Sequence, residues 1–102
     1  MPVTLINSFE VPVSDESLFL EQWELTSEQA KAQRGFIEAK LHRALHNNAR
    51  FLFVNVVVWE SEDLYHAAFK NIDIHEGKND NVHASPALYK VVVHCNPDQT
   101  PK

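Results

Sequence analysis

The sequence predicts an α+β domain of the split βαβ, ferredoxin-like type, an antiparallel sheet with helices on one face. Three observations carry this. Strand-like and helix-like segments follow one another as β-α-β-β-α-β. The third strand segment is apolar on both faces. And 102 residues leave no room for a second domain. The domain is expected over residues 3–95, with a loose tail over 96–102.

Residues 3–11 alternate, with Val3, Leu5, Asn7, Phe9 and Val11 on one side, which is strand periodicity. Pro12 ends that strand, and Ser14 or Asp15 is positioned to cap a helix. Leu18, Phe19, Gln22, Trp23 and Ala30 form the inner stripe of this helix at helical spacing. Gly35 supplies the left-handed residue that stops it. Residues 36–46 read as the second strand and 46–50 as a hairpin turn. Residues 51–59 form the third strand. Ser61 then caps a second helix that runs to about Lys70, with Glu62 and Asp63 at its positive end. A long polar connection, 71–86, leads to a last strand over 87–94.

Composition excludes several classes of function. The formal net charge is −5 and the basic residues are scattered, which argues against nucleic acid as a partner. No run approaches the roughly 20 apolar residues of a spanning helix. The first 13 residues lack the basic segment and sustained apolar run of a signal peptide, so a cytoplasmic protein without membrane contact is expected. The single cysteine, Cys95, forbids an internal disulfide and a multi-thiolate metal site. His42 and His46 share a strand face, but about 13 Å apart, too far to hold one ion. No other His, Asp and Glu set has metal-ligand spacing, and no Ser-His-acid or glycine-rich phosphate motif occurs. No metal is expected.

The doubly apolar third strand requires cover on both sides. Helices supply one, and the sheet of a second copy is the economical source of the other, so a homodimer is expected. In such a sheet the first and third strands are central neighbours. Taking them as parallel and aligning their starts sets Asn7 opposite Asn55 and Val11 near Trp59. Asparagine is depleted in strands and unfavourable to bury unless its hydrogen bonds are met. Trp59 shares a face with Asn55, and Tyr65 on the following helix can fold back over Trp59. An amide, an indole N–H and a phenol among apolar walls suit an aromatic, oxygen-bearing ligand. Connections as long as 71–86 usually do something, such as covering a site.

The stretch Phe53-Val54-Asn55-Val56-Val57-Val58-Trp59-Glu60-Ser61-Glu62-Asp63-Leu64-Tyr65 and Asn7 in the first strand resemble the antibiotic biosynthesis monooxygenase family. The step Arg34-Gly35-Phe36-Ile37 is also similar, and the resemblance covers residues 3–94. It implies a dimeric α+β barrel with a pocket between sheet and helices. It also implies a cofactor-independent monooxygenase, an oxidoreductase that converts a small aromatic or polycyclic phenol to a quinone with O2. Asn55, Trp59 and Tyr65 match residues lining the site of such enzymes and are the expected catalytic residues. Asn7, Phe53, His75 and His83 are the expected substrate-binding residues. An arginine of those enzymes would fall near Asn79. Haem-degrading members of the family have an asparagine matching Asn7, but their tryptophan would fall at Ala68 and their haem-ligating histidine at Lys78. His75 and His83 are out of step with that histidine, so haem degradation is disfavoured and no cofactor is expected. The alternative is a non-catalytic small-molecule-binding dimer of the same fold.

Overall fold

A computed structural model describes residues 1–98. The described residues form β1 (Val3–Glu10), α1 (Glu16–Ala30), β2 (Phe36–Arg43), β3 (Phe53–Trp59), α2 (Glu62–Phe69) and β4 (His83–Tyr89), in the β-α-β-β-α-β order expected. The sheet order is β2-β3-β1-β4, with every neighbouring pair antiparallel. Both helices pack on one face. Phe19 of α1 joins Phe9, Val11, Leu52 and Phe53 in one buried cluster, and Ala68 of α2 joins Leu5, Val57 and Trp59 in another. This is the ferredoxin-like α+β fold. No helix among the described residues is long and apolar enough to cross a membrane.

The strand directions correct one expectation. The β2–β3 hairpin reverses the chain, so β3 runs antiparallel to β1 and not parallel to it. Trp59 therefore lies opposite Val3, far from Val11, which is buried beyond the end of β1. Asn7 nonetheless pairs with Asn55, because both sit near the middle of their strands and reversal leaves the midpoint in place. The register places Leu5 against Val57 on one side of this pair and Phe9 against Phe53 on the other. The two amides thus form a polar seam between the two apolar clusters.

Other boundaries differ in instructive ways. Leu18, expected in the core, is 45% exposed. It lies about 100° round the helix from Phe19, and the inner stripe continues instead through Gln22, Trp23 and Thr26. Asp15 caps no α1 amide, and its Oδ2 accepts from Asn79 Nδ2 at 3.2 Å. The expected cap of α2 is present, with Leu64 N–H donating to Ser61 Oγ at 3.1 Å. Gly35 has φ +93°, and a Cβ there would lie 2.7 Å from Leu64 Cβ, so backbone and packing both demand glycine. The last strand runs from His83 to Tyr89, not over 87–94. An edge strand can accommodate Pro86, here opposite Asn7, when the missing N–H faces away from its neighbour. Val91, Val92 and Val93, placed in that strand by their β propensity, are 75%, 80% and 79% exposed. Cys95 is likewise exposed. Of the expected tail, residues 99–102 lie outside the described residues.

β2 ends at Arg43, whose guanidinium ties the strand end to the turn. Nη1 donates to Ala44 O at 2.7 Å and Nη2 to Asn47 Oδ1 at 2.8 Å. The same group holds both carboxylate oxygens of Glu16, at 2.6 and 2.8 Å, tying the start of α1 to the hairpin. The hydrogen bond from Arg43 holds the Glu16 carboxyl below the usual carboxylate range, with burial opposing and the positive charge assisting. A lowered folded pKa contributes stability above the unfolded value, about 4.3 for Glu, and that contribution is lost as pH falls through the folded pKa. The melting temperature of the native chain should therefore exceed that of Glu16→Gln at neutral pH. Thermal melts should show the difference disappearing in strong acid.

Candidate functional site

A cavity of about 440 Å³ lies between the helix-facing side of the sheet and the helices. That is within the range of small-molecule pockets. Its floor is the central strands, with Leu5, Asn7 and Phe9 from β1 and Asn55, Val57 and Trp59 from β3. α1 contributes Trp23 and Thr26, and α2 contributes Tyr65 and Phe69. The connection from α2 to β4 closes the cavity with Ile72, Ile74, Glu76 and Val82. Two ties hold that connection against α1. Gln29 Nε2 donates to Asp73 O at 2.8 Å while Asp73 N–H donates to Gln29 Oε1 at 2.9 Å. His75 N–H donates to Thr26 Oγ1 at 2.9 Å.

The polar atoms of this cavity are short of partners. Asn7 Oδ1, Asn55 Oδ1 and Trp59 Nε1 are buried with no hydrogen bond among the described residues. Buried polar groups are nearly always paired, so three such atoms around one cavity mark a place where a ligand or ordered water completes the bonding. Gln22 Oε1 is similarly placed but does not line the cavity. Trp59 is 1% exposed and caged by rings. Its centroid is 5.6 Å from that of Phe36 and 5.9 Å from that of Tyr65, both edge-on. Tyr65 in turn packs on Phe69 at 4.8 Å. Burial pushes the Tyr65 phenol up from its ordinary value, so it stays protonated through neutral pH as a donor.

Of the residues singled out from sequence, Asn7, Asn55, Trp59 and Tyr65 line this one cavity. Phe53, His75 and His83 do not. Phe53 is taken by the core, stacked on Phe19 at 4.7 Å. The His75 ring lies 3.6 Å from Asp73 Oδ2, and only its backbone N–H serves the cavity wall. His83 is part of β4, opposite Glu10, on the sheet face turned away from the helices. Sequence reasoning missed Thr26 and Glu76. Thr26 falls on the inner stripe, seven residues after Phe19, and helical periodicity could have found it. Glu76 sits in a connection without periodicity, where no pattern announces an inward side chain.

No His, Cys or Met lines the cavity, and no three metal-ligating side chains gather anywhere among the described residues. Fold and cavity together define a split βαβ domain with an internal cavity of small-molecule size. The chain matches the antibiotic biosynthesis monooxygenase family over residues 2–80, and it belongs to that family. Among solved structures it is similar to a protein from Shewanella loihica PV-4 described as a "putative monooxygenase". That similarity has 30% identity and a TM-score of 0.81, over 91% of this chain and 96% of the other. It shares its fold with SnoaB, a cofactor-independent oxygenase from Streptomyces nogalater (20% identity, TM-score 0.63, 95% and 98% of the two chains). It also shares its fold with a haem-degrading protein from Mycobacterium tuberculosis (23% identity, TM-score 0.70, 94% and 100% of the two chains). No curated protein matches the chain.

Proposed function

We propose that this protein is a cofactor-independent oxygenase that converts a small aromatic or polycyclic phenol to a quinone with O2, acting as a homodimer with one cavity per subunit. The observation that carries the reading is the group of unpartnered polar atoms, from Asn7, Asn55 and Trp59, in an otherwise apolar cavity. In the reaction a phenol and O2 give a quinone and water. One oxygen atom becomes the new carbonyl, and the other leaves as water with the two hydrogens the substrate loses. The substrate itself supplies the electrons. Asn55 hydrogen-bonds the developing oxyanion, for which its amide turns over about χ2 to present Nδ2. Trp59 holds the ring and offers its indole N–H to a peroxy intermediate. Tyr65 orients a substrate hydroxyl, and Asn7 assists binding. The test is aerobic incubation with an anthrone, following oxygen uptake and quinone absorbance. Catalysed uptake supports the proposal, and none above background overturns it.

Haem is the less favoured occupant of the same site. No histidine lines the cavity, whereas the resemblance to haem degraders requires a histidine ligand. A non-catalytic binding protein is favoured by one observation. Asn79, where an arginine of the quinone-forming enzymes would fall, spends its side chain on Asp15 and does not line the cavity. The anthrone assay separates that reading from catalysis.

The assembly is proposed on the sheet's other face. Ile6, Val54, Val56 and Val58 alternate away from the helices and form a half-buried apolar stripe across the two central strands. Tyr89 on the edge strand, also exposed, borders it. A second copy packed sheet to sheet would cover this stripe, and obligate interfaces of this type bury upwards of about 2,000 Å². Light scattering should give the mass of two chains at micromolar concentration. A stable monomer under those conditions would refute the dimer.

A further inference from the structure

Glu76 is 4% exposed and lines the cavity from the connection between α2 and β4. A short relay fixes its orientation. The His75 N–H occupies Thr26 Oγ1 as acceptor, and the Thr26 hydroxyl proton then goes to Glu76 Oε1 at 2.5 Å. A hydroxyl has one proton to give, so Oε1 is an acceptor in this bond. The relay engages one carboxylate oxygen only. Among the described residues no cation pairs with Glu76. The nearest candidate in sequence, Lys78, places its Nζ 3.1 Å from Asp73 Oδ2. Oε2 is left without a partner among the described residues, and a donor group on the cavity's occupant would serve it.

The geometry points to Glu76 as the group that receives the hydroxyl of the bound molecule, so that the cavity selects aromatic ligands carrying an O–H. That selection stands on the cavity alone. Its extension to turnover rests on the oxygenase reading. There the ligand O–H bond breaks, its electron pair stays on the phenolate oxygen, and the proton forms a new O–H bond on Glu76. The phenolate then gives up electrons to O2. Glu76, on the closing connection, takes the proton. Asn55 and Trp59, on the sheet, face the oxygen charge that develops where O2 is reduced.

Calorimetric titration under argon with 1-naphthol and with 1-methoxynaphthalene tests this, because the two differ by the hydrogen-bond donor. The native protein is expected to prefer 1-naphthol by about ten- to a hundredfold, the scale of a hydrogen bond to a charged group. Glu76→Gln keeps the shape and the bond from Thr26. It should shrink the preference to about threefold or less by weakening 1-naphthol binding while leaving the ether unchanged. A native protein without preference, or binding neither compound, overturns the inference, as does a Glu76→Gln variant with the native preference. If Glu76→Gln loses the native circular dichroism spectrum, Glu76→Asp, which withdraws the carboxylate by one methylene, must show the loss of preference instead. Native preference abolished by Glu76→Gln, together with no oxygen uptake on anthrone, would sink the oxygenase reading and leave Glu76 as the hydroxyl receptor.

Discussion

Asn55→Ala is expected to slow oxidation of an anthrone by about 10²–10³-fold, the scale for removing one donor from an oxyanion site. The substitution removes the amide from the middle of β3 but leaves the backbone ladder to Asn7 and Leu41 intact. Asn55 Oδ1 has no hydrogen bond to lose among the described residues, so the fold should tolerate the change. Steady-state kinetics and thermal melts on the same preparation give the answer. A variant that retains full turnover removes Asn55 from the chemistry. One that retains its melting temperature and loses turnover places the effect in the transition state.

Two substitutions at Trp59 should separate chemistry from packing. Trp59→Ala empties the centre of the ring cage formed with Phe36 and Tyr65. Truncating a buried tryptophan costs about 3–5 kcal/mol. For a domain of this size that lowers the melting temperature by upwards of about 12 °C. Trp59→Phe keeps a six-membered aromatic ring and removes the pyrrole portion of the indole, with an N–H that has no partner among the described residues. It should melt well above Trp59→Ala, somewhat below the native chain, and turn over more slowly than the native chain. If Trp59→Phe melts like Trp59→Ala, the tryptophan is a packing residue. If it turns over at the native rate, the indole N–H takes no part in the reaction.

The parts of the site that were legible in sequence rest on strand alternation. Period two puts Asn7 with Leu5 and Phe9, and Asn55 with Val57 and Trp59. Two amides at the middles of adjacent strands meet whichever way the strands run. Direction itself was not legible in that pattern, since alternation reads the same from either end. Only the hairpin sets it, and ignoring the hairpin put Val11 where Val3 belongs. The last strand was misplaced for a different reason. Val91, Val92 and Val93 have the stronger intrinsic preference, but the ladder on β1 already ends at Tyr89 opposite Thr4. His83 entered the candidate site on the assumption that it lay in a loop. As a strand residue opposite Glu10, it is directed to the other face. Glu76 was invisible because its inward position comes from contacts with Thr26, fifty residues away in the chain.

The seam formed by Asn7 and Asn55 has a thermodynamic consequence. It divides the interior into two half-cores, one around Phe19 and one around Trp59, with the cavity bordered by both. A molecule seated there touches both and becomes a shared piece of the interior. Its binding energy then adds to the folding free energy by mass action, about 2.7 kcal/mol when its free concentration is a hundred times its dissociation constant. With such a ligand the unliganded domain would be the less stable form, and in the cell its survival would follow the supply of whatever it binds.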